Sequence, residues 1–417
     1  MEQETIINIY TKFQLSNFKM LKKILPIFVL GLLINTISVT SVTAQTSDQN
    51  KTLNFVFTSD AHYGITRKLF RGEKNVSAQK VNRAMINAIN TITTITLPIG
   101  NGVDANQKIA GVDYLIETGD ISNRMEIPYQ SATASWQQFA SDYYGKLTLK
   151  APSGNPTQIL LAPGNHDISN AIGSYKTMQP KTDPTTMVNI YNLMMKPEIP
   201  LTNETYNYAI HKINYSLNIS NIHFMFITLW PDSAERIWME KDLKTVPESM
   251  PVILFTHDQP TAEASHFTNP IFPFKIVPNR KFENLLAEHY KETQSRMPKG
   301  FDTNIEQNGL ITFLKAHKNI KAYFHGNSNW NEFYNYHGPD NDINLPVFRV
   351  DSPMKGKYSS KDETRLSFQL ISIDPATQKL TVRECLWNTE PTNANKEIVF
   401  GDTKTISLKM NTVTNKE

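Results

Sequence analysis

The chain has 417 residues, of which 40% are hydrophobic and 19% charged, and its formal net charge is +3. This composition, with 21 phenylalanines and 16 tyrosines, is typical of a folded protein with a large core and excludes a largely disordered chain. The small charge, without a concentrated basic stripe, gives no reason to expect a nucleic-acid partner. The single cysteine, Cys385, excludes an intramolecular disulfide framework and a cysteine-rich metal site.

The first 44 residues have the pattern of an exported protein. Lys22 and Lys23 precede an apolar core over residues 24–33, and Val42-Thr43-Ala44 has the small side chains of a cleavage site. The core is shorter than the about 20 residues that a membrane-spanning helix needs. We therefore expect an upstream extension followed by a signal peptide over residues 20–44, with a secreted or periplasmic product and no stable membrane anchor. An uncleaved anchor is the alternative.

Along the rest of the chain, apolar runs and hydrophobic periodicity predict alternating strands and helices. Strands are expected over residues 53–58, 112–118, 159–162, 252–255 and 320–324, and helices over 78–92 and 134–147. Hairpins are expected over 206–229, turning at Ser220-Asn221, and over 366–384, turning at 375–377. This order predicts an α/β sandwich in one domain, residues 45–417, whose C-terminal strands complete it. The polar stretches 180–202 and 259–280 are expected to be long loops.

Polar side chains follow five of the predicted strands. Taken singly, each has an ordinary explanation as a turn residue, a cap or a buried histidine. Together they form an ordered set: Asp60 and His62, then Asp120, then Asn165, His166 and Asp167, then His257, and finally Asn327 and Asn329. Because ligands of α/β sheets bind at the carboxyl ends of strands, we expect these residues to converge on one site.

The set resembles the calcineurin-like metallophosphoesterase superfamily, whose motifs run D-x-H, GD-x-x-D/N, GNH-D/E, a strand-end His and GH-x-H. The resemblance covers roughly residues 53–330, and the first four motifs match. At the fifth, this chain has Gly326-Asn327-Ser328-Asn329, with asparagine in place of both histidines. The resemblance implies a four-layer α-β-β-α sandwich with long loop insertions.

The resemblance also implies a role for each matched residue. Asp60 and His62 would hold one metal, Asn165 and His257 a second, and Asp120 would bridge the two. Asn327 would face the second metal and Asn329 the first. His166 would stabilise or protonate the leaving oxygen, and Asp167 would orient its ring. The implied cofactors are two divalent ions, among which Mn, Fe and Zn suit carboxylate, imidazole and amide ligands.

The function that follows is hydrolysis of a small phosphomonoester or phosphodiester by a metal-activated water. The asparagine pair supports an alternative, a pseudo-enzyme or binding protein on the same fold with a weakened metal site. Two points stay open in the sequence. His325 either contributes to the site or packs beneath the loop, and the basic residues Arg67, Lys68, Arg71 and Arg124 are either substrate contacts or solvated surface.

Overall fold

Two six-stranded sheets carry the fold in the computed structural model, which describes residues 51–123, 130–168, 183–208, 210–261 and 304–410. The strands of the first sheet are β1 (Leu53–Thr58), β4 (Tyr114–Glu117), β5 (Gln158–Leu161), β12 (Ser367–Asp374), β13 (Lys379–Leu386) and β14 (Val399–Ser407). Those of the second sheet are β6 (Tyr215–Ile219), β7 (Ile222–Phe226), β8 (Val252–Phe255), β9 (Ile320–His325), β10 (Glu332–Tyr336) and β11 (Leu345–Arg349). The first sheet has the order β14-β13-β12-β1-β4-β5 and the second the order β10-β11-β9-β8-β7-β6.

The core between the two sheets is rich in phenylalanine. Phe57 of β1 lies edge-on to Phe255 and Phe324, with ring centroids 5.7 and 5.5 Å apart, and Phe255 stacks on Phe324 at 4.7 Å. All three side chains are buried. Alternate residues of the same strands, such as Val56 and Leu254, belong instead to a second cluster that includes residues of the helices. The strands are therefore apolar on both faces, as expected for parallel strands covered on both sides.

Helices cover the outer faces of the sheets, which gives the predicted four-layer α-β-β-α sandwich. They are α1 (Ala78–Ile89), α2 (Ala132–Lys146), α3 (Asn165–Ile168), α4 (Thr185–Met195), α5 (Ser233–Leu243) and α6 (Asn304–Ala316). Ser77 and Ser131 cap α1 and α2, each accepting a hydrogen bond from a backbone N–H in the first turn. A separate hairpin, β2 (Thr66–Phe70) and β3 (Glu73–Ser77), precedes α1. The described residues lie within one compact unit, Ser47–Glu417.

Most predicted elements are present with shifted ends. The strands at 53–58 and 252–255 match, whereas the helix expected to reach residue 92 ends at Ile89 and is followed by a 3-10 turn, Ile92–Thr94. The first predicted hairpin turns at Ser220-Asn221, where both residues have positive φ (49° and 60°), but its first strand begins only at Tyr215. The second turns at the predicted place.

Three sequence-based expectations for loops and termini have different outcomes. The stretch 180–202, expected to be a loop, contains α4, whose apolar residues Met187, Val188 and Ile190 are buried. The signal peptide at 1–44, and the loop 259–280 beyond residue 261, lie outside the described residues. Among the described residues, no helix is both long enough and apolar enough to cross a membrane.

Candidate metal centre

The loops after β1 and β4 run side by side and place two aspartates and a histidine together. The backbone N–H of Asp60 donates to Gly119 O, and that of His62 to Asp120 O, both at 2.8 Å. Asp60, His62 and Asp120 all have positive φ, at 60°, 44° and 54°. Such backbone conformations are uncommon for residues other than glycine and cluster at functional sites.

Glycine is required where these loops meet the loop after β5. A Cβ added to Gly119, whose φ is +101°, would lie 2.0 Å from the backbone N of Gly164. A Cβ added to Gly164 would lie 2.4 Å from Asp120 Oδ1 and 2.7 Å from the ring of His257. The two glycines of the GD and GNHD motifs thus let three strand ends approach closely enough to share one site.

Asp120 lies at the centre of the site. Its Oδ1 is 3.4 Å from His257 Nε2, and its Oδ2 is 3.7 Å from His62 Nε2 and 3.9 Å from His166 Nε2. Asp120 belongs to two groups of possible ligand residues, and the ligand atoms of each group lie within 4.8 Å of one another. One group is His62, Asp120 and His166, and the other is Asp60, Asp120 and His257. A carboxylate common to two groups has the geometry expected of a bridging ligand.

The charges of this cluster interact strongly because all its members are buried. Burial alone would raise the pKa of Asp120, but His257, His166 and His62 outweigh it and hold that pKa well below its usual range. For His257, burial would lower the pKa, but Asp120 and Asp60 raise it well above its usual value. His257 Nδ1 also lies 2.7 Å from Thr118 O, which fixes the ring and leaves Nε2 directed at Asp120.

Several ligand atoms are buried without a hydrogen-bond partner in the part of the chain that the structure describes. They are Asp60 Oδ1, both ring nitrogens of His62, and Asn329 Oδ1. Leaving a buried polar atom unpaired costs about 1–3 kcal/mol, so these four atoms require an explanation. Divalent cations would use the two oxygens and one nitrogen of His62 as ligands, and the residues present therefore fit a metal centre.

The short helix α3 brings its predicted residues into the same site. Asn165 Oδ1 lies 3.2 Å from His257 Nε2, and the backbone N–H of His166 donates to Asp120 Oδ1 at 2.7 Å. The rings of His166 and His62 are 5.0 Å apart. Burial lowers the pKa of His166 well below its usual value, although Asp120 opposes this, so the ring is neutral near pH 7. A neutral imidazole still carries one N–H donor.

Asp167 contacts the backbone of two neighbouring motifs. Its Oδ1 accepts a hydrogen bond from Ser122 N and its Oδ2 from Gly164 N, both at 3.0 Å. Burial, together with the charge of Asp120, raises the pKa of Asp167 to about 6. These contacts tie the GD loop to the GNHD loop, and the orientation of the His166 ring by Asp167 stays a prediction.

The asparagine pair lies beside Asp60. The backbone N–H of Asn327 donates to Asp60 Oδ2 at 2.9 Å, and Asn329 Nδ2 donates to Asn327 O. Both asparagines have left-handed backbone conformations, with φ of 55° and 63°, which asparagine tolerates better than most residues. A Cβ added to Gly326 would lie 2.0 Å from Ser59 Oγ, so the loop packs directly on the first motif.

His325 and the basic residues Arg67, Arg71 and Lys68 were left open by the sequence, and the structure shows the surroundings of each. β9 ends at His325, whose Nδ1 is 2.9 Å from Gly326 O and whose Nε2 is 3.2 Å from Tyr334 Oη. Both nitrogens are thus engaged within the protein, which supports the packing interpretation. Arg67 binds the backbone at Pro353 and Ser359, and Arg71 binds Asn388. Lys68 is exposed, and Arg124 lies outside the described residues.

One nearby element was missed by the sequence analysis. Ser352, three residues beyond β11, donates a hydrogen bond from its Oγ to Asp60 O at 2.8 Å. This is a sixth strand end at the site. Its strand, with Pro346 in the second position, was not recognised as one.

Comparison with known proteins gives a family and a set of distant structures. The family model for calcineurin-like phosphoesterase matches residues 53–326. The chain is similar to a dimetal phosphatase of Danio rerio (9% identity, TM-score 0.44, covering 86% of this chain and 99% of that one). It is also similar to a predicted phosphoesterase of Streptococcus pneumoniae, with 9% identity, a TM-score of 0.30 and coverage of 86% of this chain and 98% of that one. A third similar structure is Vps29 of Chaetomium thermophilum, with 9% identity, a TM-score of 0.31 and coverage of 88% of this chain and 100% of that one. No curated protein matches.

Proposed function

The chain belongs to the calcineurin-like phosphoesterase family, and we propose that it hydrolyses a small phosphomonoester or phosphodiester with two divalent cations bound around Asp120. The observation that supports this best is the position of that carboxylate, shared by two groups of buried ligand atoms. Unpaired atoms of Asp60 and His62 beside it support the same conclusion.

The residues that would hold the cations follow from the distances. His62 Nε2 lies 3.5 Å from Asp60 Oδ1 and 3.7 Å from Asp120 Oδ2, whereas His257 Nε2 lies 3.4 Å from Asp120 Oδ1 and 3.2 Å from Asn165 Oδ1. Asp60 also belongs to the group formed by Asp120 and His257. When bound, two such cations neutralise charge on a phosphoryl group and lower the pKa of water. Asp60 and Asp120 supply the negative charge that retains them, and the shell of buried side chains excludes competing water.

His166 is positioned to act on the leaving group. Its backbone N–H donates to Asp120 Oδ1, its ring centroid lies 5.0 Å from that of His62, and its Nε2 lies 3.9 Å from Asp120 Oδ2, so it is adjacent to the bridging carboxylate. A neutral ring donates one N–H to the leaving oxygen as negative charge develops there. Such groups typically contribute about 10²–10⁴-fold to rate.

The asparagine pair supports a shift in metal preference. Replacing two imidazoles by amide oxygens leaves a shell richer in oxygen, which favours harder ions such as Mn or Fe(II) over Zn. The buried, unpaired Asn329 Oδ1 supports a ligand role for this residue. The alternative is a binding protein with a weakened site. It is supported only by the same substitutions.

Metal analysis of the purified protein, followed by hydrolysis of activated phosphomonoesters and phosphodiesters with Mn, Fe(II) and Zn, tests the proposal. Asp120→Ala should lose both metals and all hydrolysis, because one carboxylate serves both groups. Retention of two metals by that variant would overturn the bridging role. Wild-type protein that binds metal but cleaves no ester would favour the binding protein.

The double variant Asn327→His with Asn329→His tests the asparagine pair. Its Zn affinity should rise relative to wild type if both side chains face the metals, and the preference for Mn should fall. Unchanged Zn affinity would mean that the loop faces elsewhere.

We further propose that residues 1–44 are absent from an exported product, on the basis of the basic start, apolar core and small-residue site. Sequencing the N-terminus of the exported protein tests this, and finding Met1 or Met20 on the exported form would refute it.

A further inference from the structure

Asp60 has a backbone conformation that the rest of the protein must hold in place. Its φ is 60°, in the left-handed region, which is unfavourable for residues other than glycine although aspartate tolerates it better than most. Its side chain is fully buried. Residues in such conformations persist only where the surrounding structure fixes them. The contacts of Asp60 therefore decide where its carboxylate points.

Three hydrogen bonds hold Asp60 and leave one carboxylate oxygen over. Its backbone N–H donates to Gly119 O at 2.8 Å, and its Oδ2 accepts from the backbone N–H of Asn327 at 2.9 Å. Its carbonyl oxygen accepts from Ser352 Oγ at 2.8 Å. Oδ1 has no hydrogen-bond partner among the described residues and lies 3.5 Å from His62 Nε2. The three bonds thus present Oδ1 to the metal centre.

The hydroxyl hydrogen of Ser352 is directed at Asp60 by the other bonds of the same oxygen. A serine hydroxyl has one hydrogen to donate and two lone pairs that accept. The backbone N–H groups of Met354 and Lys355 donate to Ser352 Oγ at 3.1 and 2.9 Å and occupy the lone pairs. The hydrogen is left for Asp60 O. Because Ser352 is fully buried, water does not compete for it.

Arg67 fixes the segment that follows β11, residues 350–360, in which Ser352 lies. Its Nη1 donates to Pro353 O at 2.8 Å, and its Nη2 donates to Ser359 O. Its Nε donates to Leu69 O at 3.1 Å. All three nitrogens of the guanidinium are therefore engaged by backbone carbonyls, and Arg67 is only 3% exposed. The arginine joins both ends of the turn that contains Ser352.

The same segment also contacts the loop that carries the asparagine pair. The backbone N–H of Val350 donates to His325 O at 3.1 Å, and that of Lys357 donates to Asn329 O at 2.5 Å. Asp60 and Asn329 are both predicted metal ligands, and each has a buried oxygen without a hydrogen-bond partner in the described part of the chain. The segment thus holds two predicted ligands in a fixed relation to each other.

We propose that Ser352 and Arg67 are positioning residues of the metal centre. Arg67 fixes the segment that follows β11, and Ser352 in turn fixes Asp60 so that Oδ1 meets a cation. Neither residue contacts the cation or the substrate in this arrangement. The inference rests on the proposed metal centre and adds a requirement beyond the ligands themselves. It gives Arg67 a role other than substrate binding.

Equilibrium dialysis of Mn against metal-free protein tests the role of Ser352 through binding and not through turnover. Loss of a group that orients a metal ligand typically weakens metal binding about 10–100-fold, and Ser352→Ala should do so. Ser372→Ala is the matched control. Ser372 is equally buried, and its Oγ donates to Asn54 Oδ1 at 2.8 Å near the opposite end of β1. That variant should lose stability and keep the wild-type affinity for Mn.

Arg67→Lys tests the other end of the segment and does not depend on the folding of the serine variant. Lysine keeps the charge but lacks the planar fork that spans two carbonyls, so Mn binding should weaken as in Ser352→Ala. Because both changes act through one segment, their effects should be less than additive in the double variant. Arg236→Lys is the control, since half-buried Arg236 donates to Pro231 O and pairs with Glu306, outside the segment.

Hydrolysis of a nitrophenyl ester at saturating Mn separates positioning from substrate contact. With the centre filled, the KM of Ser352→Ala and Arg67→Lys should return to the wild-type value, whereas a residue that contacts the ester would leave KM raised. A KM that stays raised, or fully additive losses of Mn affinity in the double variant, would overturn the inference.

The binding data also distinguish failure of this inference from failure of the proposed function. Weakened Mn binding in both variants but not in their controls, in a protein that cleaves no ester, would retain the positioning roles and refute hydrolysis. Active variants whose Mn affinities equal those of the controls would refute the positioning roles alone. Wild-type protein that binds no Mn, Fe(II) or Zn would refute both.

Discussion

Glu117 provides the sharpest test of the electrostatics behind the metal centre. It is the last residue of β4, three positions before Asp120, and it is fully buried. Its Oε2 accepts hydrogen bonds from Thr58 Oγ1 and, at 3.1 Å, from Tyr143 Oη. Burial above all, with a smaller effect of the charge of Asp60, raises its pKa from the usual 4.5 to about 8, although the hydrogen bond from Thr58 opposes the rise. At neutral pH Glu117 is therefore a neutral acid.

The sign of the effect on stability follows from proton binding. Between pH 4.5 and about 8, the folded protein keeps a proton on Glu117 that the unfolded chain has released. The free energy of unfolding therefore falls as the pH rises through this window and levels off above it. One pKa unit corresponds to about 1.4 kcal/mol, so the whole change amounts to about 5 kcal/mol as an upper limit.

Glu117→Gln removes this titration while keeping the shape of the neutral side chain. Its free energy of unfolding should change less between pH 5 and 8 than that of wild type, and the difference between the two curves isolates Glu117 from other titrating groups. Below pH 4.5 wild type should be at least as stable as Glu117→Gln. The variant replaces one carboxyl oxygen by an NH2 group, and at the position of Oε1, which has no hydrogen-bond partner among the described residues, that group would be left unpaired.

Urea denaturation followed by tryptophan fluorescence, from pH 5 to 9 with a chelator present, measures the effect. Glu397→Gln, at an exposed position, is the control and should follow the wild-type curve. Parallel curves for wild type and Glu117→Gln across the window would refute the argument that burial keeps this acid neutral. Metal loading should lower the pKa of Glu117 and move the fall in stability to lower pH, since cations near Asp60 cancel the charge that contributes to the rise.

Two further predictions concern the site itself. His166→Ala should reduce turnover about 10²–10⁴-fold for esters with poor leaving groups and by a smaller factor for nitrophenyl esters. The metal content of the variant should equal that of wild type. Equal losses of turnover on both kinds of ester would count against a role at the leaving oxygen. Gly326→Ala should weaken metal binding about 10–100-fold, because its Cβ would lie 2.0 Å from Ser59 Oγ and 2.3 Å from Asp60 Oδ2. Gly145→Ala, with no atom nearer than 3.8 Å, is its control, and equal metal affinities of the two variants would contradict the packing argument.

The sequence was most informative where local pattern and tertiary environment agree. The runs at 53–58 and 252–255 are apolar at nearly every position because parallel strands are covered on both faces, and both are strands of those lengths. The turn at Ser220-Asn221 was recognisable because a tight hairpin needs residues that tolerate positive φ. Convergence of the strand-end residues followed from the rule that the carboxyl ends of parallel strands meet at one edge.

Elements that depend on distant contacts were not recognisable in the same way. α4 lies in a stretch rich in polar residues and proline, and it is stabilised by burial of a short apolar face that gives little periodic signal. β11 begins Leu345-Pro346, and proline argues against an internal strand. Pro346 is nevertheless accommodated opposite Asn335 of β10. Because β11 was not recognised, neither was the contact of Ser352 with Asp60.

The asparagine pair and the segment that follows β11 both contact Asp60. Its backbone N–H binds Gly119 O, its carbonyl accepts from Ser352 Oγ, and its Oδ2 accepts from Asn327 N. Only Oδ1 has no hydrogen-bond partner within the described part of the chain, so it is the atom available to a cation. Any ion bound there would act on a residue whose backbone and carboxylate are already tied to three other segments. Metal binding should therefore order the asparagine pair and the segment around Ser352 together.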